Sequence, residues 1–127
     1  MRDKSRHPGR LTEKEAEVMG ILWRDGALTV REIRERYEEP LPHINTVSTI
    51  VRILEEKGFV GHKAEGKSFR YFPAVEKEEV REKSFSRFVK EYFDNSYKSV
   101  ISALVQEEKI SADELREILR MIEDKGD

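Results

Sequence analysis

The chain has 127 residues, 39% charged and 37% hydrophobic, with no cysteine and a formal charge of −2. That length suits one compact domain, or a small domain with a helical appendage, and is short for a large enzyme. The missing thiols exclude disulfides, cysteine nucleophiles and thiolate metal sites, and no apolar run approaches the roughly 20 residues that cross a bilayer.

The N-terminus, MRDKSRHPGR, holds Arg2, Lys4, Arg6 and Arg10 against Asp3. It lacks a hydrophobic signal core, so residues 1–10 read as a basic arm and the expected compartment is a reducing cytoplasm. The first helix opens on the capping box Thr12-Glu-Lys-Glu15, in which a hydroxyl accepts an N–H and a carboxylate reaches back to the cap. Ala16, Met19, Leu22 and Trp23 follow at helical spacing, with Trp23 read as core, and Asp25-Gly26 supplies a left-handed stop. A short extended piece at Ala27-Leu28 leads to a second box, Thr29-Val-Arg-Glu32, whose helix turns Val30, Ile33 and Tyr37 inward. Pro40-Leu41-Pro42 is expected to break it, because each proline lacks a donor and fixes φ.

A third helix is predicted from Ile44 to Lys57, closed by Gly58, with Val47, Ile50, Val51 and Leu54 as its apolar stripe. The period then switches to two. Phe59 to Ala64 and Ser68 to Phe72 read as strands around the turn Glu65-Gly66-Lys67, and Pro73 ends the hairpin. Helix, short strand, helix, turn, helix and hairpin make a winged helix-turn-helix over residues 11–73.

Residues 74–127 read as helical, the last helix starting at the box Ser111-Ala-Asp-Glu114. The fold class is thus mainly α with a small β-hairpin. Aromatic and branched residues recur through the rear half: Phe85, Phe88, Val89, Tyr92, Tyr97, Val100, Ile101, Leu104, Leu115, Ile118 and Leu119. Such side chains cannot be buried well on thin helices, and a homodimer is the expected solution, closed two-fold dimers being the commonest oligomers. Charge divides the same way. Residues 1–73 carry 14 basic and 12 acidic side chains, a balance of +2, against 10 and 14 in the remainder, a balance of −4.

The informative surface lies opposite the core stripe of the third helix. Asn45, Ser48, Thr49 and Arg52 fall at i, i+3, i+4 and i+7, with Thr46 on the flank and no carboxylate among them. Short hydrogen-bonding side chains let a helix lie close to base edges in a major groove, where Asn can pair with adenine and a Thr methyl can meet a thymine methyl. Exposed faces elsewhere in the chain are rich in Glu and Lys, as at Glu13-Lys14 and Glu55-Glu56. The hairpin adds Lys63, Lys67 and Arg70, placed to neutralise phosphates, with Glu65 as its acid. His7, His43 and His62 have no metal-ligand spacing, and His43 reads as a turn or helix-start residue. No cofactor motif and no grouping of acid, base and nucleophile is present, so no enzymatic function is expected.

Leu11-Thr-Glu-Lys-Glu-Ala-Glu-Val-Met-Gly-Ile-Leu-Trp23 resembles the first helix of the penicillinase-repressor (BlaI/MecI/CopY) family. Asn45-Thr-Val-Ser-Thr-Ile-Val-Arg-Ile-Leu-Glu-Glu-Lys-Gly58 resembles its recognition helix, and Phe59-Val-Gly-His-Lys63 with Phe69-Arg-Tyr-Phe72 its wing. The resemblance spans about Leu11 to Ile122. It implies a bacterial transcriptional repressor with a C-terminal dimerisation region, bound as a dimer to a palindromic operator with TACA/TGTA half-sites. It further implies a membrane sensor metalloprotease as partner, which in β-lactamase repressors triggers cleavage of an Asn-Phe bond. The matching position here is Ala103-Leu104, which departs from that pattern. Copper-responsive members use Cys-x-Cys pairs, absent here. The competing expectation, prompted by a pI near 6.0 and the acidic rear, is a winged-helix module that binds protein rather than specific DNA.

Overall fold

The structure is a computed structural model that describes residues 9–126. Arg2, Lys4, Arg6 and His7 of the basic arm lie outside the described residues. The chain divides into two compact units, one reaching Glu82 and the other beginning at Lys83.

In the first unit, α1 (Glu13–Asp25), β1 (Leu28–Thr29), α2 (Val30–Glu35) and α3 (Ile44–Lys57) precede the hairpin β2 (Val60–Glu65) and β3 (Ser68–Pro73). The sheet has the order β1-β3-β2, antiparallel throughout, with Leu28 opposite Tyr71 and His62 opposite Tyr71 from the other side. Thr12 and Thr29 each cap a helix in a complete capping box. Gly58 closes α3 at φ 90°, ψ 10°, the left-handed conformation in which glycine avoids the Cβ clash. At Gly26 the backbone also has positive φ, but ψ is −157°, so the chain leaves α1 extended toward β1 instead of through the expected left-handed cap.

The core joins Val18, Met19, Ile21 and Leu22 of α1 to Ile33 of α2, Val47, Val51 and Leu54 of α3, and Leu28, Phe59, Val60 and Tyr71 around the sheet. Each such burial contributes roughly 1.5–3 kcal/mol before the entropy of ordering is counted. Ala16, expected inward, is exposed. Trp23 is half-buried, and its indole N–H donates to the Val75 carbonyl at 3.0 Å. Val75 and Val80 also pack on this core, so the unit takes in the start of the next helix and ends beyond Pro73.

The second helix is shorter than expected. It ends at Glu35, before the prolines, and Tyr37 packs on the core from the following turn. Arg34 Nε donates to the Pro42 carbonyl at 2.6 Å and so fixes the turn between the two helices.

One buried ion pair ties α1 to the end of α3. Glu15 is 5% exposed, and its Oε1 accepts from Lys57 Nζ at 2.8 Å and from the Thr12 N–H at 2.9 Å. Burial alone would raise the Glu15 pKa, but Lys57 and the Thr12 cap outweigh it and hold the carboxyl below its ordinary value. A depressed carboxylate stabilises the fold above its unfolded-state pKa, and that contribution is lost as pH falls through the folded-state value. Lys57→Met is expected to cost about 2 kcal/mol in urea denaturation near neutral pH, because it leaves a buried carboxylate without its cation. The deficit should shrink as pH falls through the lowered folded-state value of Glu15, where its carboxyl becomes protonated in both states; a deficit independent of pH would disprove the pairing.

The second unit comprises α4 (Lys77–Phe93) from Lys83 onward, α5 (Tyr97–Gln106) and α6 (Ala112–Lys125). Asp94 and Asn95, both at positive φ, turn the chain out of α4, with the Asn95 N–H donating to the Val89 carbonyl at 3.0 Å. Ser96 caps α5, and Ser111 caps α6 in the expected box. Phe85 meets Tyr97 at 5.8 Å between ring centroids, and Phe88 meets Tyr92 and Phe93 at 5.4 and 5.6 Å.

Apart from Val89, no described apolar residue of this unit is fully buried. Phe85, Phe88, Tyr92, Tyr97, Ile101, Leu104, Ile118 and Leu119 are exposed; Val100 and Leu115 are half-buried. Val89 departs from the expected dimerisation set because it is fully buried within the chain itself. Among the described residues no helix is long and apolar enough to cross a membrane.

Candidate nucleic-acid interface

Val47, Val51 and Leu54 anchor α3 in the core, and this fixes which side of the helix faces out. Asn45, Thr46, Thr49 and Arg52 are exposed, with Ser48 half-buried beside them, so the polar stripe expected from the sequence lies on one face. Its members are pre-ordered along the helix. Thr49 Oγ1 donates to the Asn45 carbonyl at 2.9 Å, and Arg52 Nη2 donates to Thr49 Oγ1 at 3.4 Å. The first turn holds no acidic residue, so the positive end of the helix dipole is not neutralised by a carboxylate.

His43 is the N-cap of α3, its Nδ1 accepting from the Asn45 N–H at 3.0 Å. This bears out its reading as a helix-start residue. A shallow groove of about 660 Å³ runs between α2, the start of α3 and the β3 residues Ser68, Phe69 and Tyr71. Arg31, Asn45, Ser48 and Phe69 line it. Arg31 and Phe69 were not anticipated from the sequence. Arg31 has the signature of any exposed helix residue until α3 is placed beside it, and Phe69 reads as a strand residue whose half-exposed ring becomes visible only with the sheet in position.

The wing departs further from expectation. His62, Phe69 and Tyr71 share one face of the hairpin, with ring centroids 4.5 to 6.5 Å apart, and His62 Nδ1 is hydrogen-bonded to Glu55 of α3. Because strand side chains alternate, Lys63 and Arg70, directly opposed in register, lie on the other face. Lys63 and Lys67 are exposed. Gly66 alone in the two-residue turn has positive φ, at 62°, which carries the chain tightly past Lys67 at the tip.

Arg70 is engaged within the chain. Nε and Nη2 donate in parallel to the two carboxylate oxygens of Glu65 at 2.8 and 2.7 Å, while Nη1 donates to the Ala27 carbonyl at 2.9 Å and to Glu32 Oε1 at 3.1 Å. Its hydrogen bonds to Glu65, together with Glu32, raise the guanidinium pKa further, and they hold Glu65 below the ordinary carboxylate range. The Thr29 backbone and Arg70 do the same for Glu32. One cation shared by two carboxylates leaves no net positive charge at this position, which sets Arg70 apart from the exposed Lys63 and Lys67.

The penicillinase repressor family model matches residues 11–124 of the chain. Among similar proteins, the methicillin resistance regulatory protein MecI of Staphylococcus aureus (strain N315) is 26% identical over 116 residues, which cover 91% of this chain and 94% of that protein. The penicillinase repressor of Bacillus licheniformis is 22% identical over 116 residues, 91% of each chain. The solution structure of the DNA-binding domain of the repressor BlaI superimposes with a TM-score of 0.50 at 23% identity, covering 61% of this chain and 90% of that one. This likeness supports the winged-helix fold.

Proposed function

The chain belongs to the penicillinase repressor family, and from that premise we propose that it is a dimeric, sequence-specific DNA-binding transcriptional repressor. The observation on which the reading rests most is the carboxylate-free polar stretch from Asn45 to Arg52 on the exposed side of α3, which contrasts with the Glu-bearing surfaces of α1, α2, α4 and α6. Asn45, Thr46, Ser48, Thr49 and Arg52 read base edges from the major groove, and Lys63 and Lys67 approach phosphates from the wing. Relatives named as repressors and regulators over nine-tenths of the chain support the repressor role.

The exposed apolar residues of α4, α5 and α6 form the dimer interface in this reading. Large apolar side chains left open together on one chain mark contact with another, and two-fold symmetry matches a palindromic operator. Cleavage at Ala103–Leu104 is not part of the proposal. The bond lies inside α5, where the Ala103 carbonyl accepts from the Glu107 N–H at 3.0 Å, and neither residue matches the Asn-Phe pattern.

The test is selection of binding sequences from random duplex DNA, followed by footprinting and a salt titration. An inverted repeat should be enriched, and log K should fall linearly with log salt by about 0.9 for each phosphate neutralised. Recovery of no common sequence, together with one stoichiometric protein partner in pull-downs, would replace this reading with that of a protein-interaction module.

A further inference from the structure

We propose that Arg70 is the positioning residue of the wing, clamping the hairpin to the helix-turn-helix so that Lys67 is held where it meets the DNA backbone; the DNA part of this inference rests on the function proposed above. Four hydrogen bonds from one guanidinium join three parts of the first unit. Two go to Glu65 at the base of the turn, one to the Ala27 carbonyl ahead of β1, and one to Glu32 in the first turn of α2. Glu32 also accepts from the Thr29 N–H at 3.0 Å, so the clamp ends on a group that is itself fixed by the capping box of α2. A bidentate Arg–carboxylate pair fixes a plane as well as a distance, which Lys in this position could not reproduce.

The hairpin needs such a device. Beyond Val60 every residue of β2 is at least partly exposed, so little apolar burial holds the distal part of the wing to the rest of the unit. Lys63 stands directly opposite Arg70, a like-charge pair that would be unfavourable if Glu65 and Glu32 did not surround the guanidinium. A phosphate contact at the tip has value only if the Lys67 ammonium stays at a fixed distance from α3.

The decisive variant is Glu32→Gln/Glu65→Gln in the full chain. It keeps the Arg70 charge, retains a side chain able to cap α2, and makes the protein more positive by two charges. If Arg70 positions the wing, affinity for the selected duplex falls about tenfold and the salt slope becomes shallower by about 0.9 per wing. If Arg70 itself contacts phosphate, freeing it from two carboxylates leaves affinity unchanged or raises it, and the inference is overturned.

A double-mutant cycle gives a second decision. Lys67→Ala should cost little in an Arg70→Ala background, because the contact is already lost; independent, multiplying losses would contradict the clamp. Amide hydrogen exchange of the free protein decides the structural half without DNA. Protection at residues 62–69 should fall in Arg70→Ala while that of α1 and α3 holds, and unchanged protection there overturns the clamp. Should the wild-type chain select no duplex sequence, the proposed function fails while the exchange measurement still decides whether Arg70 holds the wing.

Discussion

Thr49→Ala/Arg52→Ala protein is expected to bind its selected operator about 100-fold or more weakly than the wild type while remaining folded, since each base-reading side chain contributes about 1–3 kcal/mol of discrimination. Both residues are exposed and neither contributes to the core, so the unfolding free energy from urea titration should change by no more than about 0.5 kcal/mol. Ala at position 49 even removes a hydroxyl that bonds back to the Asn45 carbonyl, an arrangement that mildly opposes helix geometry. The two side chains are joined through Arg52 Nη2 and Thr49 Oγ1, so their losses should not add independently. Loss of specific binding with weak, salt-sensitive binding to random duplex retained is the pattern that separates base readout from backbone attraction. A double variant with an undiminished ratio of specific to non-specific affinity would remove α3 from the readout. The Arg70 variants above predict the complementary result, in which affinity changes together with the salt slope because backbone contacts are altered.

How much of this was legible in the sequence follows from the range of each interaction. The three complete capping boxes at Thr12, Thr29 and Ser111 sit where the sequence places them, because both partners of each lie within three residues. The bounds of α3 were readable for the same reason: a turn before it, an apolar period of 3.6 within it, and Gly58 after it. Its exposed face then follows from the buried one. The hairpin also follows from local alternation and its glycine turn.

What escaped the sequence depends on groups far apart in the chain. Glu32 and the Ala27 carbonyl lie 38 and 43 positions from Arg70, so only its pairing with Glu65, five positions away, could be read locally. Glu15 reads as a solvent-facing capping residue until Lys57, 42 positions on, closes over it. Proline is a conspicuous stop signal, so the sequence points to an end of α2 later than the observed one. The chain instead leaves the helix at Glu35, and Arg34 holds the segment beyond it through the Pro42 carbonyl. Lys63 and Arg70 could have been assigned to the outer face of the wing from sequence alone, since the period of two and the inward Tyr71 determine the side.

The largest effect is expected from charging the rear apolar surface. Ile101→Asp/Leu119→Asp places carboxylates at two exposed positions, 44% and 53% accessible in the single chain, which the proposed dimer would bury. In a two-fold interface each substitution appears twice, and taking an unpaired carboxylate out of water costs several kcal/mol, enough to dissociate a dimer at micromolar concentration. Analytical ultracentrifugation should show the wild type at twice 14.9 kDa and the variant at 14.9 kDa. The core of the first unit contains neither residue, so its folding, followed through half-buried Trp23, should survive. Operator affinity should nevertheless fall about 10²- to 10⁴-fold, because a monomer engages one half-site without the effective concentration supplied by its linked partner. Affinity for a single half-site should stay the same, and this distinguishes lost linkage from a damaged α3. A wild-type chain that sediments as a monomer, or a charged variant that stays dimeric, would rule out this surface as the interface and require another cover for α5 and α6.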